Sequence, residues 1–253
     1  MSELILWRHG LTDYNVAGRV QGQVDICLNE TGLAQARAAA PALAALSPSR
    51  IVSSPLERAQ STAACLAALT GLPVESDEAL VERSFGQWEG LARQEIQARW
   101  PDQYARWRAG EDPEGLDVET RAHTAQRVGR ALERLAGQQE KAQSTQGTIG
   151  ASTAEGAGTG AGARSGAGRG PVVVVAHGAA ITLGTTYLLG LDPGGWFGLR
   201  GLDNCHHAVL RSGSRTPGWT LVCWNAGGGQ AAGAGGAAGV GEQGQGAIGA
   251  FLA

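Results

Sequence analysis

Lysine is nearly missing from this chain of 253 residues: Lys141 is the only one, so almost all the positive charge sits on arginine. Arginine presents a planar fork that suits bidentate recognition of phosphate-like anions. A charge excess is missing too. The formal net charge is −3 and the isoelectric point about 6.0, against the basic surplus that a general nucleic-acid binder carries. No apolar run approaches the ~20 residues that a membrane-spanning helix needs, and the N-terminus shows neither the basic nor the apolar region of a secretion signal. Nucleic acid and membrane are therefore not expected as partners, and a cytoplasmic protein is. Cysteine is scarce: Cys27, Cys65, Cys205 and Cys223 have no Cys-x-x-Cys or zinc-ligand spacing. They read as ordinary buried or partly buried thiols of a reducing compartment.

Glycine, by contrast, is abundant, with 40 residues. It concentrates in two segments. Gly147 to Gly170 holds almost no large apolar side chain, and from Ala226 onward Gly, Ala and Gln dominate. Such sequences bury too little surface to offset the entropy of ordering them, and neither has a strict Gly-X-Y period. The expectation is one domain over residues 1–225, interrupted by a flexible Gly-rich insertion at about 140–170, followed by a disordered tail at 226–253.

The remainder alternates strand and helix patterns. Strands are expected at Leu4–Trp7, Arg50–Ser53, Pro73–Glu75 and Trp219–Trp224, the last one antiparallel. Val172-Val173-Val174-Val175-Ala176 is the continuous β-branched run of a central buried parallel strand. Helices are expected at Thr31–Leu46 (capped by Thr31, broken or bent at Pro41), at Gln94–Arg108, at Glu119–Leu135 and at Ala179–Leu189. A further one is capped by Ser54 with Pro55 at its first position and ends at Gly71. This order predicts an α/β fold of three layers, α/β/α, around a mostly parallel central sheet with one antiparallel edge strand.

Chemistry-bearing residues fall at strand ends and helix starts. Arg8-His9-Gly10 ends the first strand, Arg58 sits in the first turn of a helix, and Ala176-His177-Gly178 ends the central strand. Ligands of open α/β sheets bind at that edge, and a helix N-terminus favours an anion. Two arginines and two histidines converging there suit a phosphoryl group, which is dianionic and rich in acceptors. Each residue has a plainer reading: His9 as a core-edge histidine, Arg58 as an exposed helix residue, His177 as the cap of a strand end. His206 and His207 read as structural or surface residues and His123 as solvated, while Trp100, Tyr104 and Trp107 at helical spacing read as core.

The residues Leu6-Trp7-Arg8-His9-Gly10-Leu11-Thr12-Asp13-Tyr14-Asn15, then Gly18-Arg19-Val20-Gln21-Gly22 and Leu28-Asn29-Glu30-Thr31-Gly32, resemble the N-terminal signature of the histidine phosphatase (phosphoglycerate mutase-like) superfamily. Ser53-Ser54-Pro55-Leu56-Glu57-Arg58-Ala59, Glu82-Arg83-Ser84-Phe85-Gly86-Gln87-Trp88-Glu89-Gly90 and Ala176-His177-Gly178 are similar to its other motifs, in the same order. The resemblance implies a covalent mechanism through phosphohistidine. His9 would be the nucleophile, with Arg8, Arg58 and His177 holding the phosphoryl oxygens and Asn15 and Gly178 adding contacts. Gln21 and Gly22 would line the substrate side. Glu82, rather than its neighbour Glu89, would protonate the leaving oxygen and then activate water. Positive charge around His9 should keep its imidazole neutral and nucleophilic. Neither metal nor other cofactor is implied, because arginine and histidine supply the positive charge.

The short stretch from Leu91 to Asp117 and the Gly-x-Trp-Glu-Gly form favour the phosphatase branch. The implied activity is metal-independent hydrolysis of a small phosphorylated metabolite. Phosphoglycerate mutase-type transfer and a catalytically inactive phospho-ligand binding module are the alternatives, and the assembly, a homodimer included, stays open. Two departures mark this chain: Leu11 replaces a polar residue after Arg-His-Gly, and Gly115-Leu116-Asp117 stands where many relatives have Gly-Glu-Ser.

Overall fold

A computed structural model describes residues 1–150 and 170–227, with side chains described everywhere in those ranges except 143–150. The core of the expected insertion and nearly all of the expected tail lie outside the described residues. Six strands form one sheet: β1 (Glu3–Arg8), β2 (Arg50–Ser53), β3 (Val74–Ser76), β4 (Val172–Ala176), β5 (His207–Ser212) and β6 (Trp219–Ala226), in the order β3-β2-β4-β1-β5-β6. β1, β2, β3 and β4 pair in parallel, while β5 is antiparallel to both β1 and β6. β6, antiparallel to β5, runs in the same direction as β1–β4, so β5 alone opposes the other five and the edge strand is antiparallel only to its neighbour. The strand not expected is β5, whose apolar run is only Ala208-Val209-Leu210 between His207 and Arg211, where all five residues of β4 are apolar.

Side chains that alternate along the strands build two cores. Leu4 and Leu6 of β1, with Val172 and Val174 of β4, pack against α6 (Arg121–Gly150) and α7 (Gly178–Leu188) through Val128, Leu132, Leu135 and Ile181. Ile5 and Trp7, with Val173 and Val175, face α2 (Glu30–Ala44) and α3 (Glu57–Thr70) through Ala36, Ala40, Leu43, Ala63 and Leu66. Because both faces are covered, the central strands read as unbroken apolar runs. A third, smaller cluster of Val20, Phe85, Trp88, Ile96, Tyr104 and Leu116 joins the loops of the motif segments to α4 (Arg93–Arg99) and α5 (Pro101–Arg108). The tryptophans at 100 and 107 pack here as core, as their spacing suggests.

Several boundaries differ from the sequence expectation for identifiable reasons. α2 is capped by Asn29, whose Oδ1 accepts from the Gly32 amide at 2.8 Å, and not by Thr31. It continues through Pro41 to Ala44, anchored by the buried side chains of Ala40 and Leu43 on either side of that exposed proline. α3 starts at Glu57 with Leu56 in the cap position; the Ser54 hydroxyl accepts the Leu56 amide only at 3.4 Å and lies closer, at 2.8 Å, to His177 Nε2. The expected helix 94–108 is two, α4 and α5, divided at Trp100, since the residue before a proline avoids the helical region. α6 starts at Arg121 and outlasts Leu135. Ala136 is buried, and Gln139 donates to the Gly170 carbonyl at 2.6 Å and accepts from the Glu3 amide, so the added turns are tied to the sheet. Cys27 is exposed, while the other three thiols are buried or partly so.

Candidate active site

Strand pairing explains why residues so far apart in sequence meet. β1 and β4 lie side by side with Arg8 opposite Ala176, so the next residues, His9 and His177, emerge as neighbours. Their ring centroids are 5.2 Å apart. β2 is the other neighbour of β4, and Ser54, just past its end, donates its amide to the Val175 carbonyl. Arg58 follows in the first turn of α3. The sheet therefore delivers Arg8, His9, Ser54, Arg58 and His177 to one edge, and all five are buried.

His9 Nδ1 lies 2.7 Å from the Gly10 carbonyl oxygen. A carbonyl can only accept, so Nδ1 carries the hydrogen and Nε2 keeps its lone pair. Burial holds the imidazole well below its ordinary pKa of 6.5, and the Arg58 and Arg8 charges push it further down against the opposing pull of the Gly10 carbonyl. His177 is likewise held well below 6.5, by burial first, then by Arg58, His9 and Arg8. Both rings are neutral at pH 7.

The arginines are unusual in what they lack. Arg58 is fully buried; its two terminal nitrogens donate to the Val24 and Gly22 carbonyls at 2.8 and 2.7 Å. Arg8 donates to the Leu202 carbonyl. Among the described residues neither forms a salt bridge, and Arg8 Nε, Arg58 Nε and His177 Nδ1 are buried without a hydrogen-bond partner. Burial lowers the pKa of both arginines, Arg58 to about 10, despite the raising influence of Glu82. Buried cations without a paired anion are costly. Three buried nitrogens without acceptors thus lie at the sheet edge that carries His9.

Glu82 is buried at the N-terminus of α7. Its Oε1 accepts from the Ala180 and Arg83 amides at 2.8 and 2.9 Å, and its Oε2 from the Ala179 amide at 3.2 Å. Asn15 Oδ1 accepts from the Thr12 amide and from Asn204 Nδ2, which leaves the Asn15 amino group as the end available to a ligand. Gln21 Oε1 is within 2.9 Å of the Thr12 hydroxyl. Gly22 has φ +52°, and a Cβ there would overlap the Glu89 carboxylate. That carboxylate accepts from the Gln23 and Phe85 amides, so Glu89 ties two loops together and is not interchangeable with Glu82. Gly178 lies against the Arg8 guanidinium.

Sequence reasoning missed Ser54 as the partner of His177 Nε2 at 2.8 Å, Thr62 as the acceptor of the Gly10 amide, and Asn204, which donates to the His9 and Gly10 carbonyls. Gly10 is required sterically: a Cβ would overlap the Gly32 backbone at the start of α2. His123 is exposed and bonds Glu119; the His206 ring bonds the Asn225 carbonyl, while its own carbonyl accepts the Arg8 amide at 3.0 Å. Leu11 contributes its backbone, its amide to Gln35 and its carbonyl to the Asn29 amide. The Leu116 carbonyl accepts from Gln87, which docks the 115–117 turn on the third motif.

The family model of the histidine phosphatase superfamily (branch 1) matches residues 4–149 and 154–227. The chain belongs to that superfamily. It is 37% identical over 234 residues to the glucosyl-3-phosphoglycerate phosphatase of Mycolicibacterium vanbaalenii, a match that covers 88% of this chain and 94% of the relative. The Mycobacterium tuberculosis protein of the same name is also 37% identical, with the same coverage. Among solved structures, a mycobacterial glucosyl-3-phosphoglycerate phosphatase in complex with VO3 superposes with a TM-score of 0.70 at 36% identity, covering 89% of this chain and 100% of that one. A phosphoserine phosphatase of Entamoeba histolytica in complex with 3-phosphoglyceric acid gives 0.68 at 26% identity, over 89% and 98%. This histidine phosphatase is accordingly a phosphoric monoester hydrolase, with the expected fold class. No helix among its described residues is long and apolar enough to cross a membrane.

Proposed function

We propose that this chain hydrolyses a small phosphomonoester in two steps on His9, without a metal. In the first, His9 Nε2 attacks phosphorus, the ester P–O bond breaks, and Glu82 gives its proton to the leaving oxygen. The alcohol departs and the phosphoryl group stays on His9. In the second, Glu82 takes a proton from water, the water oxygen attacks phosphorus, and the P–N bond breaks to release inorganic phosphate. Glu82 Oε2, which receives one amide at 3.2 Å where Oε1 receives two shorter ones, is the oxygen that carries the proton. Arg8 and Arg58 hold the phosphoryl oxygens through their orphaned Nε atoms. When Ser54 donates to His177 Nε2, His177 Nδ1 becomes a third donor. Asn15, Gln21, Gly22 and Gly178 complete the pocket; Gly22 acts largely through its carbonyl, which holds Arg58. The observation that carries this reading is the pair of buried, ion-pair-free arginines beside a neutral histidine whose Nε2 is free. Identity to the mycobacterial enzymes across most of both chains points to glucosyl-3-phosphoglycerate as the substrate. Its hydrolysis, together with the unpaired thiols, suits a cytoplasmic enzyme.

The test is phosphate release from glucosyl-3-phosphoglycerate, phosphoserine, 3-phosphoglycerate and p-nitrophenyl phosphate. His9→Ala should abolish it, and Glu82→Gln should lower it about 10²- to 10⁴-fold while letting an acid-labile phosphoenzyme be trapped. Isomerisation of 3-phosphoglycerate without phosphate release would show a mutase instead.

A further inference from the structure

A cavity of about 210 Å³ is lined by Arg121, Thr182, Thr186, Trp196, Phe197 and Arg200, with the two threonines on α7, the helix that also carries Gly178 of the phosphoryl site. Three links tie it to the phosphoryl site. Thr182 is one turn along α7 from Gly178 and donates to the Gly178 carbonyl at 2.8 Å. Arg200 is two residues before Leu202, whose carbonyl receives Arg8. Asp112 accepts both from Arg83, the neighbour of Glu82, at 2.6 Å and from the Arg121 amide at 3.1 Å.

Arg121 is the informative side chain. It is only 7% exposed. Its Nε donates to the Pro193 carbonyl at 2.7 Å, and its Cζ lies over the Phe197 ring, 4.5 Å from the centroid. Phe197 is in turn braced by Gly110, where a Cβ would overlap the ring. Among the described residues Arg121 has no salt bridge, and its two terminal nitrogens have no hydrogen-bond partner. Burial lowers its pKa, with Arg83 adding to the effect and Asp112 and Asp192 opposing it. The fork is thus held rigid on one edge and one face, with its other edge open. Arg200, paired with Asp203 at 2.9 Å, stands at the exposed rim.

We infer that this cavity is the subsite for a carboxylate on the leaving alcohol, with the open edge of Arg121 as its bidentate donor and Trp196 as an apolar wall. A guanidinium fixed by stacking and by its Nε loses little further freedom on binding a planar two-oxygen acceptor. The subsite deepens the hydrolase reading above and rests on it. It selects phosphate esters whose alcohol carries an acid over esters of the same size that lack one.

The test compares 3-phosphoglycerate with glycerol 3-phosphate, which lacks the carboxylate, in the wild type, Arg121→Lys and Arg121→Gln. The wild type should favour the acid. Arg121→Gln should reduce that preference, expressed as a ratio of kcat/KM values, by about 10- to 100-fold, mostly through KM. Arg121→Lys, a charge without the fork, should fall between. Equal losses on both esters in Arg121→Gln, or equal kcat/KM for both esters in the wild type, would overturn the subsite while leaving the hydrolase intact. Failure of the wild type to release phosphate from these esters, from p-nitrophenyl phosphate and from glucosyl-3-phosphoglycerate would instead overturn the hydrolase reading, and the subsite with it; release from glucosyl-3-phosphoglycerate that Arg121→Gln leaves unchanged would overturn the subsite alone.

Discussion

His9 is kept neutral by two effects of unequal size. Burial acts first, and the charges of Arg58 and Arg8 add to it. The imidazole ¹⁵N resonances of His9 and His177 should therefore show no protonation between pH 8 and 6 in phosphate-free buffer, and His9 should report hydrogen on Nδ1. Arg58→Gln should move the His9 transition upward. A His9 midpoint near 6.5 in the wild type would contradict the burial. The charge effect was legible in the sequence, since both arginines sit at element ends beside the motif histidines. The larger effect was not. The loop at 202–206 is hydrogen-bonded to the backbone of His9, where Cys205 donates to the Arg8 and His9 carbonyls, and no motif marks that loop. Ser54 shows the same limit: a serine before a proline reads as a helix cap, and only the pairing of β2 with β4 reveals that its hydroxyl belongs to His177.

At the scale of elements, α2 continues through a proline that should have ended it. Pro41 removes the bond to the Arg37 carbonyl and crowds the preceding turn, a defect worth up to about 3 kcal/mol in a helix interior. The residue is exposed and remote from the catalytic edge. Pro41→Ala should raise stability by about 1–2 kcal/mol, less than the full cost because proline also restricts the unfolded chain. A higher midpoint of urea unfolding at unchanged slope, with kcat unaltered, is the expected result; a lower midpoint would mean that the ring packs favourably between α2 and α3. The strands of the central sheet were legible because burial on both faces writes itself as continuous apolar sequence. Helix ends were less so, because Asn29 and Thr31 are both plausible caps and local chemistry does not choose between them. Tertiary packing does: a Cβ on Gly32 would overlap the Leu11 backbone, so the first turn of α2 is fixed against the loop that follows His9.

For the molecule as a whole, the two buried histidines make acid a destabilising agent. Their folded pKa values lie well below 6.5, whereas in the unfolded chain they titrate near 6.5. Below that pH the unfolded state binds protons that the native state does not. Stability contributed by the neutral rings is complete above about pH 6.5 and is lost as pH falls, at about 1.4 kcal/mol per pH unit for each ring. Unfolding midpoints measured from pH 7.5 down to 5 should fall more steeply for the wild type than for a His9→Asn/His177→Asn double variant; parallel curves would mean that the rings are protonated in the native state. Bound phosphate should raise the wild-type curve by stabilising the native state.

The pairing of β1 with both β4 and β5 also sets a timetable. Every residue that the phosphoryl site needs has been made once Gly178 is reached. The contacts that immobilise the end of β1, from the Leu202 carbonyl, the Asn204 side chain and the Cys205 amide, come from the stretch leading into β5. A chain still on the ribosome can therefore possess its whole reactive set before it can hold the nucleophile in place. A chain cut short before that stretch should release no phosphate at all, and a truncation after Gly178 that still hydrolyses p-nitrophenyl phosphate would show that the edge is dispensable.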